Sequence, residues 1–249
     1  MADLALSAAG VSKRYGPVVA LDDATLTVAR GECVALVGES GSGKSTLLRA
    51  FNALTAVDSG TVEVGGRDIT GLDAVAVRRS LGYVPQDGGL LPHWTVARNV
   101  ALVPWLLGRP APGRDADEAI RQVGLEPSRF AARWPHELSG GQRQRVAFAR
   151  ALAAGAGTLL LDEPFGALDA ITRGDLQAMF LDLRRASGLS ALLVTHDLHE
   201  AGLVADRVAV MHQGRIAQTG RLDALVARPA TPYVAELLVR TRLRRGTVA

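Results

Sequence analysis

Cysteine occurs once in the 249 residues, at Cys33, which excludes an intrachain disulfide and any cysteine-cluster metal site. Aromatic residues amount to 4%, which argues against a surface built to stack nucleic-acid bases. Neither charge sign dominates: 28 Lys+Arg against 25 Asp+Glu leave a net +3. That surplus is too small for a polyanion binder, so nucleic acid is not expected as a partner. No uncharged apolar run approaches the roughly 18 residues of a spanning helix, and residues 1–6 show no basic stretch ahead of an apolar core. These absences together lead us to expect a reduced, cytosolic, globular protein. Hydrophobic residues at 48% and charged residues at 21% suffice for a sizeable core, and the length suits one large domain or two small ones. Lysine is scarce too. Only Lys13 and Lys44 are lysine, and every other basic residue is arginine, so a site that needs a slim point charge rather than a planar fork is easy to spot.

Hydropathy patterning alternates apolar strands with helical stretches. Strands are expected at residues 25–28, 33–37, 81–84, 158–161 and 191–195, and hairpins at 61–69 and 208–217. Helices are expected at 45–54 and 170–186, and prolines 92, 104, 110, 112, 127 and 135 divide a helical region at about 88–155 into short pieces. The pattern predicts an α/β fold with a mostly parallel sheet flanked by helices. We read 1–239 as a single domain carrying an inserted helical subdomain, followed by a basic tail at 240–249 that is most simply a frayed end.

Three motifs carry chemistry. Gly38-Glu39-Ser40-Gly41-Ser42-Gly43-Lys44-Ser45 fits G-x-x-x-x-G-K-[ST] between a buried strand and a helix. Glycines there let backbone N–H groups converge on phosphate oxygens, Lys44 reaches the β- and γ-phosphates, and the Ser45 hydroxyl binds Mg²⁺. The plain alternative is a glycine-rich turn that starts a helix. Leu159-Leu160-Leu161-Asp162-Glu163 ends an apolar strand on two carboxylates, suited to holding Mg²⁺ (Asp162) and orienting an attacking water as general base (Glu163). Alone, such a pair is more often a solvated turn. Leu138-Ser139-Gly140-Gly141-Gln142 contains a capping box, Ser139 with Gln142, ahead of a helix. Capping does not explain two adjacent glycines, each costing up to about 1 kcal/mol against alanine; a group lying against the backbone does.

With these three motifs in this order, nearly the whole chain resembles the nucleotide-binding subunit of an ATP-binding cassette (ABC) transporter. The resemblance implies a P-loop ATPase core with an antiparallel β subdomain at its N-terminus, ATP and Mg²⁺ as cofactors, and further site residues. Tyr15 resembles the aromatic that stacks on adenine, and Thr46 joins Ser45 in the phosphate loop. Gln86 matches the glutamine that touches Mg²⁺ and the water, Asp169 lies in the loop that crosses a dimer interface, and His196 matches the histidine at the γ-phosphate. By residue type alone Tyr15 is a strand-edge tyrosine and His196 a structural histidine. In this family Ser139, Gly140, Gly141 and Gln142 of one subunit close over the phosphate loop of another, so a homodimer with two composite sites is implied.

A separate-chain importer subunit, its exporter equivalent and a non-transport relative compete. The stretch 162–169 is similar to the DEPFGALD form of separate-chain importers. Residues 89–108 and 169–173 resemble glycine betaine, choline and proline-type osmoprotectant importers, although Leu91 stands where many relatives have phenylalanine. The implied partners are a second nucleotide-binding subunit, transmembrane permease subunits and, indirectly, a substrate-binding protein. The implied location is peripheral, on the inner face of the cell membrane. Sulfonates, amino acids and other small ions are the alternative solutes. Leu90, Leu91 and Trp94, just past Gln86, are expected either to dock the permease or to pack inside the helical region.

Overall fold

The structure is a computed structural model that describes residues 3–245, with side chains described through Arg240. In chain order the first half contains β1 (Leu4–Tyr15), β2 (Val18–Ala29), β3 (Cys33–Val37), α1 (Lys44–Phe51), β4 (Ser59–Val64), β5 (Arg67–Asp68), α2 (Ala74–Ser80), β6 (Gly82–Val84), α3 (Val96–Val100), α4 (Leu102–Leu106) and α5 (Pro112–Gln122). There follow α6 (Pro127–Phe130), α7 (Gly140–Leu152), β7 (Thr158–Asp162), α8 (Ala170–Ser187), β8 (Ser190–Val194), α9 (Leu198–Val204), β9 (Arg207–His212), β10 (Arg215–Gly220), α10 (Leu222–Ala227) and α11 (Pro232–Arg245). The chain divides into two compact units, one of residues up to Val77 together with those from Ser190 onward, the other Arg78–Leu189.

The first unit contains an antiparallel sheet of order β2-β1-β4-β5. In the same unit β3 lies between β8 and β9, parallel to both, with β10 antiparallel to β9. All five residues of β3 and all five of β8 are buried. This is what a parallel strand covered on both faces requires, and it is why these strands read as unbroken apolar runs. Helix α1 packs on β8 and α9 on β3 and β9. Strand β1, at 12 residues as long as β2, is absent from the expectations. Its alanines, Gly10 at φ 61° and register shifts at Ala8/Val11, Val11/Lys13 and Lys13/Arg14 break the alternation a strand normally shows. Helix α1 ends sooner than expected, because the Asn52 side chain accepts from Leu54 N–H and Ala53 turns to φ 53°.

The second unit pairs β6 with β7 in parallel and contains α3 to α8. Its prolines sit where a helix tolerates them. Pro112 opens α5, Pro127 opens α6, Pro135 opens a 3-10 turn, and Pro104 falls in the first turn of α4. The core is an aromatic triad, Phe148, Phe165 and Phe180, fully buried with ring centroids 5.9–6.3 Å apart. Helix α8 stops at Gly188, whose left-handed φ of 62° lets its N–H cap the Arg184 carbonyl.

Helix α11 carries the backbone through Arg245, anchored by buried Val234 and Leu238 four residues apart. Of the basic tail, Arg240 lies on this helix. The side chains of Arg242, Arg244 and Arg245, and residues 246–249 entirely, lie outside the described residues.

Candidate functional site

Strand β3 delivers the chain directly into the glycine-rich loop. Gly38 and Gly43 take φ 153° and 107°, and a Cβ at either would run into backbone, the Met211 carbonyl and the Ala20 carbonyl respectively. Only glycine permits this course. The Lys44 side chain is buried and folds back over its own loop, donating to the carbonyls of Gly38 at 2.9 Å and Glu39 at 2.8 Å. A guanidinium fork is too wide for that hairpin of backbone, which accounts for a lysine in an arginine-rich chain. Helix α1 starts at Gly43 with no side-chain cap and no acidic residue in its first turn, so its N-terminal dipole faces the loop uncompensated. Ser42, which is not among the site residues expected from the sequence, buries a hydroxyl that finds no hydrogen-bond partner among the described residues. An orphaned buried hydroxyl beside an uncapped helix start suits an oxyanion ligand.

The register β3/β8 pairs Leu36 with Val194. Gly38 and His196 are therefore level, each two residues past the last pair, at the C-terminal strand ends where open parallel sheets bind ligands. His196 is exposed there, and Asp197 caps α9 behind it by accepting from His199 and Glu200 N–H. Tyr15 ends β1 half exposed at 51%, its hydroxyl 3.4 Å from Thr55 Oγ1. The other lysine, Lys13, pairs with Asp58 at 2.8 Å and lies 5.4 Å from the Tyr15 ring centre. The Lys13 hydrogen bond holds the Asp58 carboxyl below the usual range.

In the second unit the same register logic recurs. β6 and β7 pair Val84 with Leu161, so Gln86 and Glu163 lie level two residues further on. The Gln86 Nε2 donates to Glu163 Oε2 at 3.3 Å. Asp162, the last residue of β7, is 4% exposed. Glu163 takes φ 49°, a left-handed conformation costly for a residue with a Cβ, and this turn lets adjacent carboxylates leave the strand in different directions. Beyond Gln86, the Arg150 guanidinium of α7 donates to the carbonyls of Gly88 at 2.8 Å and Gly89 at 2.6 Å. Nothing local in the sequence announces that clamp.

The expected capping box is present. Ser139 Oγ accepts from Gln142 N–H at 3.2 Å and Gln142 Oε1 from Ser139 N–H at 3.0 Å. The two glycines have separate explanations. A Cβ on Gly141 would overlap the Thr172 methyl of α8, so Gly141 is required by packing within this chain, whereas Gly140 is exposed with only ordinary contact to Leu168. Asp169 caps α8 by accepting from Thr172 N–H at 3.0 Å, and that bond lowers its pKa. Leu90, Leu91 and Trp94 are all half-buried. Their loop is pinned by Asn99, whose side chain accepts from Leu91 N–H and donates to the carbonyls of Leu91, Trp94 and Thr95. Alongside runs an open, mostly apolar cleft of about 390 Å³ lined by Trp94, Arg98, Ala101, Leu102, Trp105 and Pro112.

Among the described residues no group of three or more His, Cys, Asp or Glu is placed to hold a metal. No helix among them is long and apolar enough to cross a membrane.

Comparison with known proteins places residues 21–166 in a match to the ABC transporter family. An osmoprotectant import ATP-binding protein of Salmonella typhimurium is 42% identical over 93% of this chain. The chain spans 61% of that relative's length. A sulfate/thiosulfate import ATP-binding protein of Nocardia farcinica is 46% identical over 91% of this chain and 68% of its own length. Among solved structures, a dimeric ATP-binding cassette, MJ0796, in a post-hydrolysis state bound to ADP and Pi, superposes with a TM-score of 0.78 at 33% identity, covering 87% of this chain and 98% of that one.

Proposed function

The chain belongs to the ABC transporter family, and from that premise we propose that it is the ATP-hydrolysing subunit of an importer for a quaternary-amine osmoprotectant. The observation that carries the hydrolytic part is the Gln86–Glu163 hydrogen bond at matched strand ends, with Glu163 held in a strained turn. A strained acid beside an oriented amide is suited to activating water.

In this reading the Gly38–Ser45 loop, with Ser40, Gly41 and Thr46, binds the phosphates of ATP through backbone N–H groups, and Lys44, held by two of its N–H groups on the loop carbonyls, offers the third to a phosphate oxygen. Tyr15, exposed at the end of β1, stacks on the adenine. Ser45, Gln86 and Asp162 offer the oxygen donors that suit Mg²⁺, and the few protein ligands suit an ion that is also held by phosphates and water. Bound there, Mg²⁺ would neutralise charge on the phosphates. Glu163 takes the proton of the attacking water, Gln86 orients that water, and His196 donates to the γ-phosphate. Ser139 to Gln142 and Asp169 serve the nucleotide of a second subunit in a homodimer. The exposed start of α7 at Ser139 and Gly140 supports that assignment, since these groups are not consumed by packing within the chain. The cleft beside Trp94 and Trp105 receives the membrane permease, which places the subunit on the inner face of the membrane. A substrate-binding protein acts only through that permease.

The likeness of residues 89–108 and 169–173 to osmoprotectant importers supports the amine cargo. A second reading, a sulfur oxyanion, is favoured by the 46% identity to the sulfate/thiosulfate relative. Reconstitution of the complete complex in vesicles, with ATP on the cytoplasmic side, separates them. Uptake of labelled glycine betaine above sulfate supports the first, and sulfate uptake without betaine replaces it.

A further inference from the structure

Glu39 of the phosphate loop is tied at all three of its polar groups. Its N–H donates to the Tyr233 hydroxyl at 3.2 Å, its carbonyl accepts from Lys44 Nζ at 2.8 Å, and its carboxylate pairs with Arg240 at 3.0 Å. Tyr233 and Arg240 both belong to α11, near the far end of the sequence. The Tyr233 ring is fixed in turn by stacking on His212, centroids 3.7 Å apart and 25° from parallel. His212 ends β9, next to Met211, whose carbonyl fills the space a Cβ on Gly38 would need. One further bond, Gly214 N–H to the Ser42 carbonyl at 2.9 Å, ties the β9–β10 turn to the same loop. Arg240 is also steadied along its helix by Glu236 at 2.6 Å. Burial pushes the Tyr233 phenol up, so at neutral pH it meets Glu39 N–H as a neutral hydroxyl.

We propose that Tyr233 and Arg240 are positioning residues for nucleotide binding, through which α11 fixes Glu39 and, by its carbonyl, the Lys44 ammonium. This rests on the ATP-binding reading above. Neither residue touches a group assigned to water attack, so they act on affinity and not on the chemical step.

The test uses the full chain with Mg·ATP, measuring KM, kcat and melting temperature. Tyr233→Phe keeps the ring on His212 and deletes only the acceptor. One net hydrogen bond corresponds to a rise in KM of about three- to tenfold, expected with kcat within about twofold of the parent. Arg240→Ala is expected to raise KM as well, with Arg240→Lys intermediate. In a Glu39→Gln background, Arg240→Ala is expected to add nothing, because both changes remove one pair. An unchanged KM in Tyr233→Phe overturns the proposal, and so does a lowered melting temperature with unchanged KM, which is a packing role alone. A parent chain that neither binds nor turns over ATP overturns the proposed function itself, a result distinct from any of these.

Discussion

Asn99→Ala tests whether the loop after Gln86 is held by one buried amide. Asn99 is 0% exposed; it accepts from Leu91 N–H at 2.7 Å and shares its two amide N–H groups among the carbonyls of Leu91, Trp94 and Thr95 at 3.0–3.1 Å. The Thr95 carbonyl keeps a partner in Asn99 N–H. The Leu91 carbonyl likewise keeps the Trp94 N–H at 3.2 Å, so truncation strands chiefly the Leu91 N–H and the Trp94 carbonyl. An unsatisfied buried group costs about 1–3 kcal/mol, and these groups are only part-buried, so a loss of about 2–4 kcal/mol is expected. For a chain of this size that corresponds to a fall in melting temperature of roughly 5–12 °C. Asn99→Asp keeps the acceptor and volume but sets a carboxylate against three carbonyls, and is expected to be at least as damaging. Calorimetric or fluorescence melts read the effect directly. Below the transition, the isolated subunit is expected to retain its ATPase while transport by the complete complex falls, because the loosened loop carries Leu91 and Trp94 and not the groups assigned to hydrolysis. A melting temperature within 1 °C of the parent in both variants would refute the reasoning.

Three further outcomes follow from the same geometry. Lys44→Ala is expected to weaken ATP binding more than tenfold by calorimetry, since it removes the one positive charge of the phosphate loop. Gly141→Ala, which sets a methyl against the Thr172 methyl, is expected to destabilise by about 1–3 kcal/mol, and a second change, Thr172→Ser, to restore most of the melting temperature by removing the opposing carbon. Asp169 has a lowered pKa, chiefly through the Thr172 backbone hydrogen bond. The stabilisation this represents is full above its unfolded pKa and fades as pH falls through the folded one. Urea midpoints compared down to acid pH are expected to show that loss in the parent and not in Asp169→Asn, whose amide still caps the helix.

The phosphate loop was legible because its physics is local: a buried strand, glycines at fixed offsets, one lysine and a helix start. The Ser139–Gln142 capping box was legible for the same reason, and so was the acidic end of β7. What the sequence did not reveal depends on partners distant along the chain. The Gln86–Glu163 contact exists only because β6 and β7 pair in one register. The reason for Gly141 is a methyl on another helix. Ser42 stands out only through its buried hydroxyl, which has no hydrogen-bond partner among the described residues. Arg150 resembled any arginine on a helix until its carbonyl partners at Gly88 and Gly89 were in place. Strand β1 was missed because alanines, a glycine and bulges hide its period. Helix α11 is absent from the expectations, and the run of arginines from Arg240 onward is what makes its end look like a basic tail, its apolar signal being only Val234 and Leu238.

The most direct test of the central claim is the mass in solution of Glu163→Gln with saturating Mg·ATP, measured by light scattering behind a sizing column. Loss of the base with the phosphate loop intact is expected to leave binding while blocking turnover, so that two chains stay closed on ATP and elute at twice the mass of one. A variant that binds ATP yet remains a single chain at every concentration would contradict the account.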